Sequence, residues 1–136
     1  MRVAVDHVGL SVADLDAAEG FYATAFGFTR QLAFELNPHP IRGVMLAHPS
    51  GSRLELFEHS GSVPGLQALG PIEPHATRGY NHFALAAPHI DDVFSAALAA
   101  GATAVIEPRP SPEPGVRFAF LADPEGNLVE LVEKGA

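Results

Sequence analysis

Four residues have side chains able to hold a metal ion or move a proton, and they fall into one register: His7, Glu55, His82 and Glu130. A shift of 75 residues carries His7 onto His82 and Glu55 onto Glu130. The same shift superimposes Pro49 on Pro124, Gly51 on Gly126, Leu56 on Leu131, Glu58 on Glu133, Leu10 on Leu85 and Asp16 on Asp91. Internal repetition of this kind marks a duplicated structural unit. Two imidazoles and two carboxylates form a borderline-hard donor set, suited to Zn, Ni, Co, Mn or Fe with a position left for water or substrate. Two carboxylates also balance the charge of one divalent cation. The chain has no cysteine, so disulfides and thiolate ligands are excluded.

The elements that must position these residues are legible in the same repeat. Each copy opens with a short apolar strand, over 5–12 and 80–86, and a helix should follow each. In the first copy Asp14 is an N-cap, Leu15, Ala18, Tyr22 and Ala25 recur at helical spacing, and Gly27 is a stop. In the second, Ile90, Val93 or Phe94, Ala97 and Leu98 form the stripe and Gly101 ends it. Extended runs then cover 29–36, 43–48 and 53–58, and 103–107, 116–122 and 128–133, with hairpin turns at 49–52 and 124–127. The modules are expected over about 1–58 and 80–134, with residues 59–79 as a Gly- and Pro-rich linker. The run 108–115, with four prolines, reads as a loop.

Strand alternation places His7, Gly9 and Ser11 opposite Val8, Leu10 and Val12, and His82, Ala84 and Ala86 opposite Phe83 and Leu85. Glu55 and Glu130 each interrupt an apolar run, with Leu54 and Leu56, or Val129 and Leu131, on the other face. A carboxylate in such a run carries a desolvation cost unless it is paired, hydrogen-bonded or bound to a cation. Glu58 and Glu133 are expected to be solvated strand ends.

Composition narrows the partners. The chain has 136 residues, 47% of them hydrophobic and 18% charged, as in a soluble globular domain rather than a disordered or membrane-spanning one. A formal charge of -8 disfavours nucleic acid, whose phosphates require clustered Lys and Arg, and suits a small-molecule substrate. The first residues, Met1 to His7, carry no export signal, so a cytoplasmic location is expected.

The string Asp6-His7-Val8-Gly9-Leu10-Ser11-Val12, followed by Asp14-Leu15, Phe21-Tyr22 and Phe26-Gly27-Phe28, resembles the opening of the vicinal oxygen chelate superfamily. That superfamily includes glyoxalase, bleomycin-resistance and dioxygenase proteins. The string Asp123-Pro124-Glu125-Gly126-Asn127-Leu128-Val129-Glu130-Leu131 resembles its terminal motif. The resemblance implies an α+β fold of two tandem βαβββ modules, forming a curved mixed sheet around a metal cleft, and a homodimer. It assigns the metal to His7, Glu55, His82 and Glu130, with Glu130 or Glu55 serving also as the base. It implies a lyase or isomerase that chelates two oxygens of a small substrate. Ser11 stands where glutathione-dependent glyoxalases usually have arginine, and His59 where they have asparagine, so glutathione is not the expected substrate. A compact dioxygenase and a metal-free ligand-binding dimer of the bleomycin-resistance kind are the alternatives. Tyr22, Arg42, Arg78, Arg109 and Arg117 are candidate substrate contacts, and His39, His48, His59, His75 and His89 are candidate proton shuttles if the fold brings them to the cleft.

Overall fold

The computed structural model describes residues 1–67 and 70–135. Residues 68 and 69 of the expected linker lie outside the described residues. Two compact units meet at the Pro64 to Gly65 bond. In the first, β1 (Val8–Ser11), α1 (Leu15–Phe26), β2 (Thr29–Glu35), β3 (Ile41–Ala47) and β4 (Arg53–His59) form a four-stranded sheet ordered β1-β4-β3-β2 with one helix. In the second, a 3-10 turn (Glu73–Ala76) precedes β5 (Phe83–Ala86), α2 (Ile90–Ala99), β6 (Thr103–Pro110), β7 (Val116–Ala122) and β8 (Leu128–Lys134), in the order β5-β8-β7-β6. Each sheet is mixed: β1 runs parallel to β4 and β5 parallel to β8, while the other neighbours are antiparallel. The strands thus form two sheets, one per module, each a βαβββ unit as the repeat implied.

The central strand of each sheet has two different faces. Leu54 and Leu56 on β4, and Val129 and Leu131 on β8, are buried beneath the helix of their module. Against them α1 buries Leu15, Ala18, Phe21, Tyr22 and Ala25, and α2 buries Ile90, Phe94 and Ala97. Full burial of one such side chain contributes about 1.5–3 kcal/mol, so these stripes hold helix to sheet. Leu98, expected in the α2 stripe, is instead partly exposed, and of Val93 and Phe94 the latter takes the buried position.

The helix starts reveal a device that the sequence reading missed. At α1 the Asp14 carboxylate accepts from the Ala17 N–H (3.0 Å), as expected, and Gly27 closes the helix at φ 80°. In addition, the Leu15 N–H donates to Glu58 Oε2 at 2.7 Å. At α2, where His89 supplies no side-chain cap, the Ile90 N–H donates to Glu133 Oε2 at 2.9 Å. Glu58 and Glu133 are therefore not solvated strand ends but carboxylates lent by a strand to a helix N-terminus, where orphan N–H groups and the helix dipole favour an anion. Each is braced by an arginine from the adjacent strand: Arg42 Nε lies 3.0 Å from Glu58 Oε1 and Arg117 Nη1 lies 3.6 Å from Glu133 Oε1. These arginines also reach Asp16 and Asp91, at 3.6 and 2.8 Å.

Three expected boundaries move. The opening strands begin at Val8 and Phe83 because their ladders to β4 and β8 start at Val8↔Leu54 and Phe83↔Val129. β6 runs on to Pro110, overturning a loop from residue 108. It is the outer strand, where a proline lacking an N–H is tolerated on the unpaired side, and its register shifts between Ile106 and Arg109. Among the described residues no helix is long and apolar enough to cross a membrane.

The Arg42 guanidinium, and then the Leu15 N–H, hold the Glu58 carboxyl below its ordinary value. A depressed folded-state pKa stabilises the protein above the unfolded carboxylate value, and this contribution is lost as pH falls through the folded one. Glu58→Ala is expected to cost about 1–2 kcal/mol at neutral pH, measured by urea unfolding. The deficit should shrink on acidification below the ordinary glutamate range. An equal deficit at all pH values would refute the ionised cap.

Candidate metal centre

The strand face opposite the helix carries Glu55 in the first module and Glu130 in the second, each the register partner of a small residue on the parallel neighbour: Gly9↔Glu55 and Ala84↔Glu130. Small side chains there leave room above the carboxylate. His7 and His82 stand one residue before β1 and β5, and each imidazole turns Nε2 toward the carboxylate of its own module. His7 Nε2 lies 3.3 Å from Glu55 Oε1, and His82 Nε2 lies 3.4 Å from Glu130 Oε1. Both carboxylates are 22% exposed, so the two halves are desolvated alike.

The other ring nitrogen is already committed. His7 Nδ1 lies 2.7 Å from Asp6 Oδ2, and His82 Nδ1 lies 2.7 Å from Asn81 Oδ1. The hydrogen bond from His7, with the Arg53 guanidinium behind it, holds the Asp6 carboxyl below its ordinary value, so Asp6 is an anion and only accepts. Nδ1 must therefore donate. In the neutral ring this leaves the Nε2 lone pair facing Glu55, the arrangement in which histidine ligates metals. Two ligand atoms at roughly 2.0–2.2 Å from one cation, at a near-tetrahedral angle, lie about 3.3–3.6 Å apart. The observed N–O separations match that spacing, and lone pair facing anion is a contact that a cation relieves.

The surroundings of the two pairs differ. Asp6 is tied to Arg53 Nη1 at 2.9 Å, and Arg53 in turn to Gln31 at 2.8 Å. Asn81 instead has Nδ2 3.4 Å from Nδ1 of His75, on the 3-10 turn before β5. In the first module Phe34 packs over Gly43, where a Cβ would overlap its ring, and meets Phe57 edge-on at 5.7 Å. In the second, Phe120 stands opposite Glu130 and meets the His82 imidazole edge-on at 4.9 Å, which fixes the ring plane. There a cavity of about 350 Å³ opens beside the carboxylate, walled by Ile72, His75, Val105, Phe118, Phe120 and Glu130 among others.

The four sequence-assigned ligands thus come as two pairs, one within each module. Among the described residues no group of three or more His, Cys, Asp or Glu side chains is arranged to hold a metal by itself. Of the candidate shuttles, His75 reaches the site face of its module. His39 lies in the β2–β3 turn, His59 ends β4 and His89 precedes α2. His48 packs on Phe28 at 5.4 Å and bonds Ser50 at 2.8 Å in a hairpin. Tyr22, on the buried face of α1, is wholly enclosed and is not a substrate contact. Arg42 and Arg117 are spent on the helix face, while Arg78 and Arg109 are exposed. Asp6, Asn81 and Phe120 went unnoticed in the sequence. The first two also obey the shift of 75 and immediately precede the histidines, which was a usable signal.

The profile of the Glyoxalase/Bleomycin resistance protein/Dioxygenase superfamily matches residues 4–131. An uncharacterized protein of Pseudomonas aeruginosa is 32% identical over 137 aligned positions, covering 96% of this chain and 89% of that one. Among solved structures, a glyoxalase family protein from Bacillus cereus superimposes with a TM-score of 0.81 at 21% identity, over 100% of this chain and 97% of that one. Glyoxalase I from Zea mays gives 0.76 at 21% identity, over 96% of this chain but 44% of that chain. At such identities the structural likeness speaks for the fold.

Imidazole nitrogen NMR of the metal-free chain near pH 8, where an ordinary histidine is neutral, should find His7 protonated on Nδ1. Asp6→Ala should shift His7 toward the other tautomer and leave His82 unchanged. A parent His7 protonated on Nε2 alone would contradict the pairing described.

Proposed function

The chain belongs to the Glyoxalase/Bleomycin resistance protein/Dioxygenase superfamily, and from that premise we propose that it is a metal-dependent enzyme of the glyoxalase-like lyase or isomerase kind. Its substrate is a small molecule with two neighbouring oxygens. The observation that carries this reading is the duplicated pair: an imidazole with Nδ1 tied back, and Nε2 at 3.3 or 3.4 Å from a carboxylate. Two donors alone hold a divalent ion weakly, whereas four complete a site with a position left for substrate. In this reading His7, Glu55, His82 and Glu130 serve one ion, with Zn, Ni, Co, Mn or Fe as the candidates. The pairs come from one chain or from two copies in a homodimer, an assembly that is part of the proposal.

A divalent ion so held supplies Lewis acidity toward two substrate oxygens and stabilises the negative charge that develops on them. The residues do the rest. His7 and His82 bind through Nε2, oriented by Asp6 and Asn81. Glu130 or Glu55 would take the proton from the hydroxyl-bearing carbon beside the carbonyl and return it to the former carbonyl carbon, while the hydroxyl proton passes to the other oxygen. Glu130 has open space beside it for that movement. Apolar walls keep water from competing for the proton. Ser11 and His59 stand in place of the usual glutathione contacts, which argues for a substrate other than a glutathione adduct.

Calorimetric titration of the chelator-stripped chain with Zn²⁺ or Ni²⁺ should give one ion per chain. His82→Ala is expected to weaken that affinity by about a hundredfold or more, with the circular dichroism unchanged. Glu130→Gln should retain the fold while abolishing solvent deuterium exchange into a bound α-hydroxyketone. Unaltered metal affinity in His82→Ala would remove that residue from the site. A chain that takes no metal yet binds small ligands would replace the enzyme with a binding protein.

A further inference from the structure

The cavity beside Glu130 has walls of one chemical kind. Ile72, Val105, Ile106, Phe118, Phe120 and Leu128 contribute aliphatic or aromatic surface, and the polar lining is confined to Glu130, His75 and Ser111. Among the described residues no Lys or Arg lines it. The cations of this unit are engaged or lie elsewhere: Arg117 bonds Asp91 on the helix face, Arg109 donates Nε to the Glu107 carbonyl on the outer strand, Arg78 is exposed before β5 and outside the lining, and Lys134 ends β8. The chain carries a formal charge of -8, and among the described residues the acidic group in the lining is the Glu130 carboxylate. An anionic arm would meet repulsion and find no partner to offset its lost hydration. At about 350 Å³ the space is near the lower end of what ligand sites span, roughly 300–1,000 Å³. It suits an aryl ring or a medium alkyl chain rather than a peptide or nucleotide conjugate.

We infer that the substrate carries an uncharged apolar arm next to its chelating oxygens, and that this arm occupies the pocket between the linker turn and sheet β5-β8-β7-β6. The inference rests on the proposed metal-dependent reading, because it takes Glu130 as the point where arm and reacting group meet. The floor of the pocket is Phe118, Phe120 and Leu128, on the same strand face as Glu130. Its roof is Pro71, Ile72 and His75, contributed by the segment joining the modules. The linker thereby helps define which substrate fits.

Hydroxamates chelate through two oxygens, so a homologous series from acetohydroxamate to hexanohydroxamate probes the arm directly. With the Zn²⁺-loaded chain, affinity should rise about fourfold per added methylene until the pocket is filled. Val105→Trp should flatten that series while leaving metal content unchanged. Ile72→Arg, at a position 72% exposed and so tolerant of charge, should admit a hydroxamate bearing a terminal carboxylate that the parent rejects by at least about tenfold. A flat series in the parent, with acetohydroxamate still bound, would overturn the apolar arm and leave the metal reading standing. If the chain takes no Zn²⁺, the metal reading fails instead, and the pocket is tested with hexanamide in the metal-free chain. Shifts of the Val105, Ile106 and Leu128 methyl resonances, with those of Ile106 and Leu128 lost in Val105→Trp, would then support the pocket, and unmoved methyls would overturn it.

Discussion

In each module a central-strand carboxylate faces an imidazole nitrogen whose partner nitrogen is already bound elsewhere, and this contact sets the terms for the rest of the unit. Glu55 and Glu130 are half-buried, and burying a carboxylate is costly unless a positive group or a donor meets it. Holding that position requires a strand flanked on both sides, and β4 and β8 are flanked by a parallel and an antiparallel neighbour. It also requires a small residue beside the carboxylate, supplied by Gly9 and Ala84. Because strand faces alternate, fixing Glu55 upward puts Leu54, Leu56 and Glu58 downward, toward α1. One strand therefore serves both the site and the helix: Leu54 and Leu56 bury the helix stripe, and Glu58 caps its first turn.

Much of this was legible in the sequence because the duplication printed it twice. The shift of 75 selected both histidines and both carboxylates, and period-two alternation gave their face. Asp14 and Gly27 marked the ends of α1 correctly. What escaped were interactions joining residues distant in sequence and different in kind. A glutamate after an apolar run looks like a solvated end, and only the packing of helix on sheet turns Glu58 and Glu133 into caps 43 residues from the N–H groups they accept from. Arg42 and Arg117 share the parity of the helix-facing residues Val44 and Ala119, so alternation already argued against their reaching substrate. The prolines of β6 misled for a different reason. A proline breaks a ladder only where its N–H is needed, and nothing local to 108–110 tells an outer strand from an inner one. His75 was the least accessible, since the linker has no periodicity from which to read a direction.

The two modules diverge unequally across their thickness, and the pattern bears on function. On the helix face the correspondence extends to Asp16 and Asp91, Arg42 and Arg117, Glu58 and Glu133, together with the N–H groups of Leu15 and Ile90. Each helix needs the same docking, so the same solution serves twice. On the other face only the donor atoms repeat. Behind the histidines Asp6 becomes Asn81, and the Arg53 that supports Asp6 is replaced by Leu128. Beside the carboxylates Met45 becomes Phe120, and Gly43, roofed by Phe34, becomes Phe118. Folding alone asks nothing of this divergence, since either set of walls would support its sheet. An ion held by two like pairs sees near-equivalent donors, but a substrate with an oxygen-bearing end and an apolar end is not symmetric. In the proposed reading, like ligands within unlike walls would suit such a substrate: the donors would hold the oxygens, and the apolar wall beside Glu130 alone would take the apolar end.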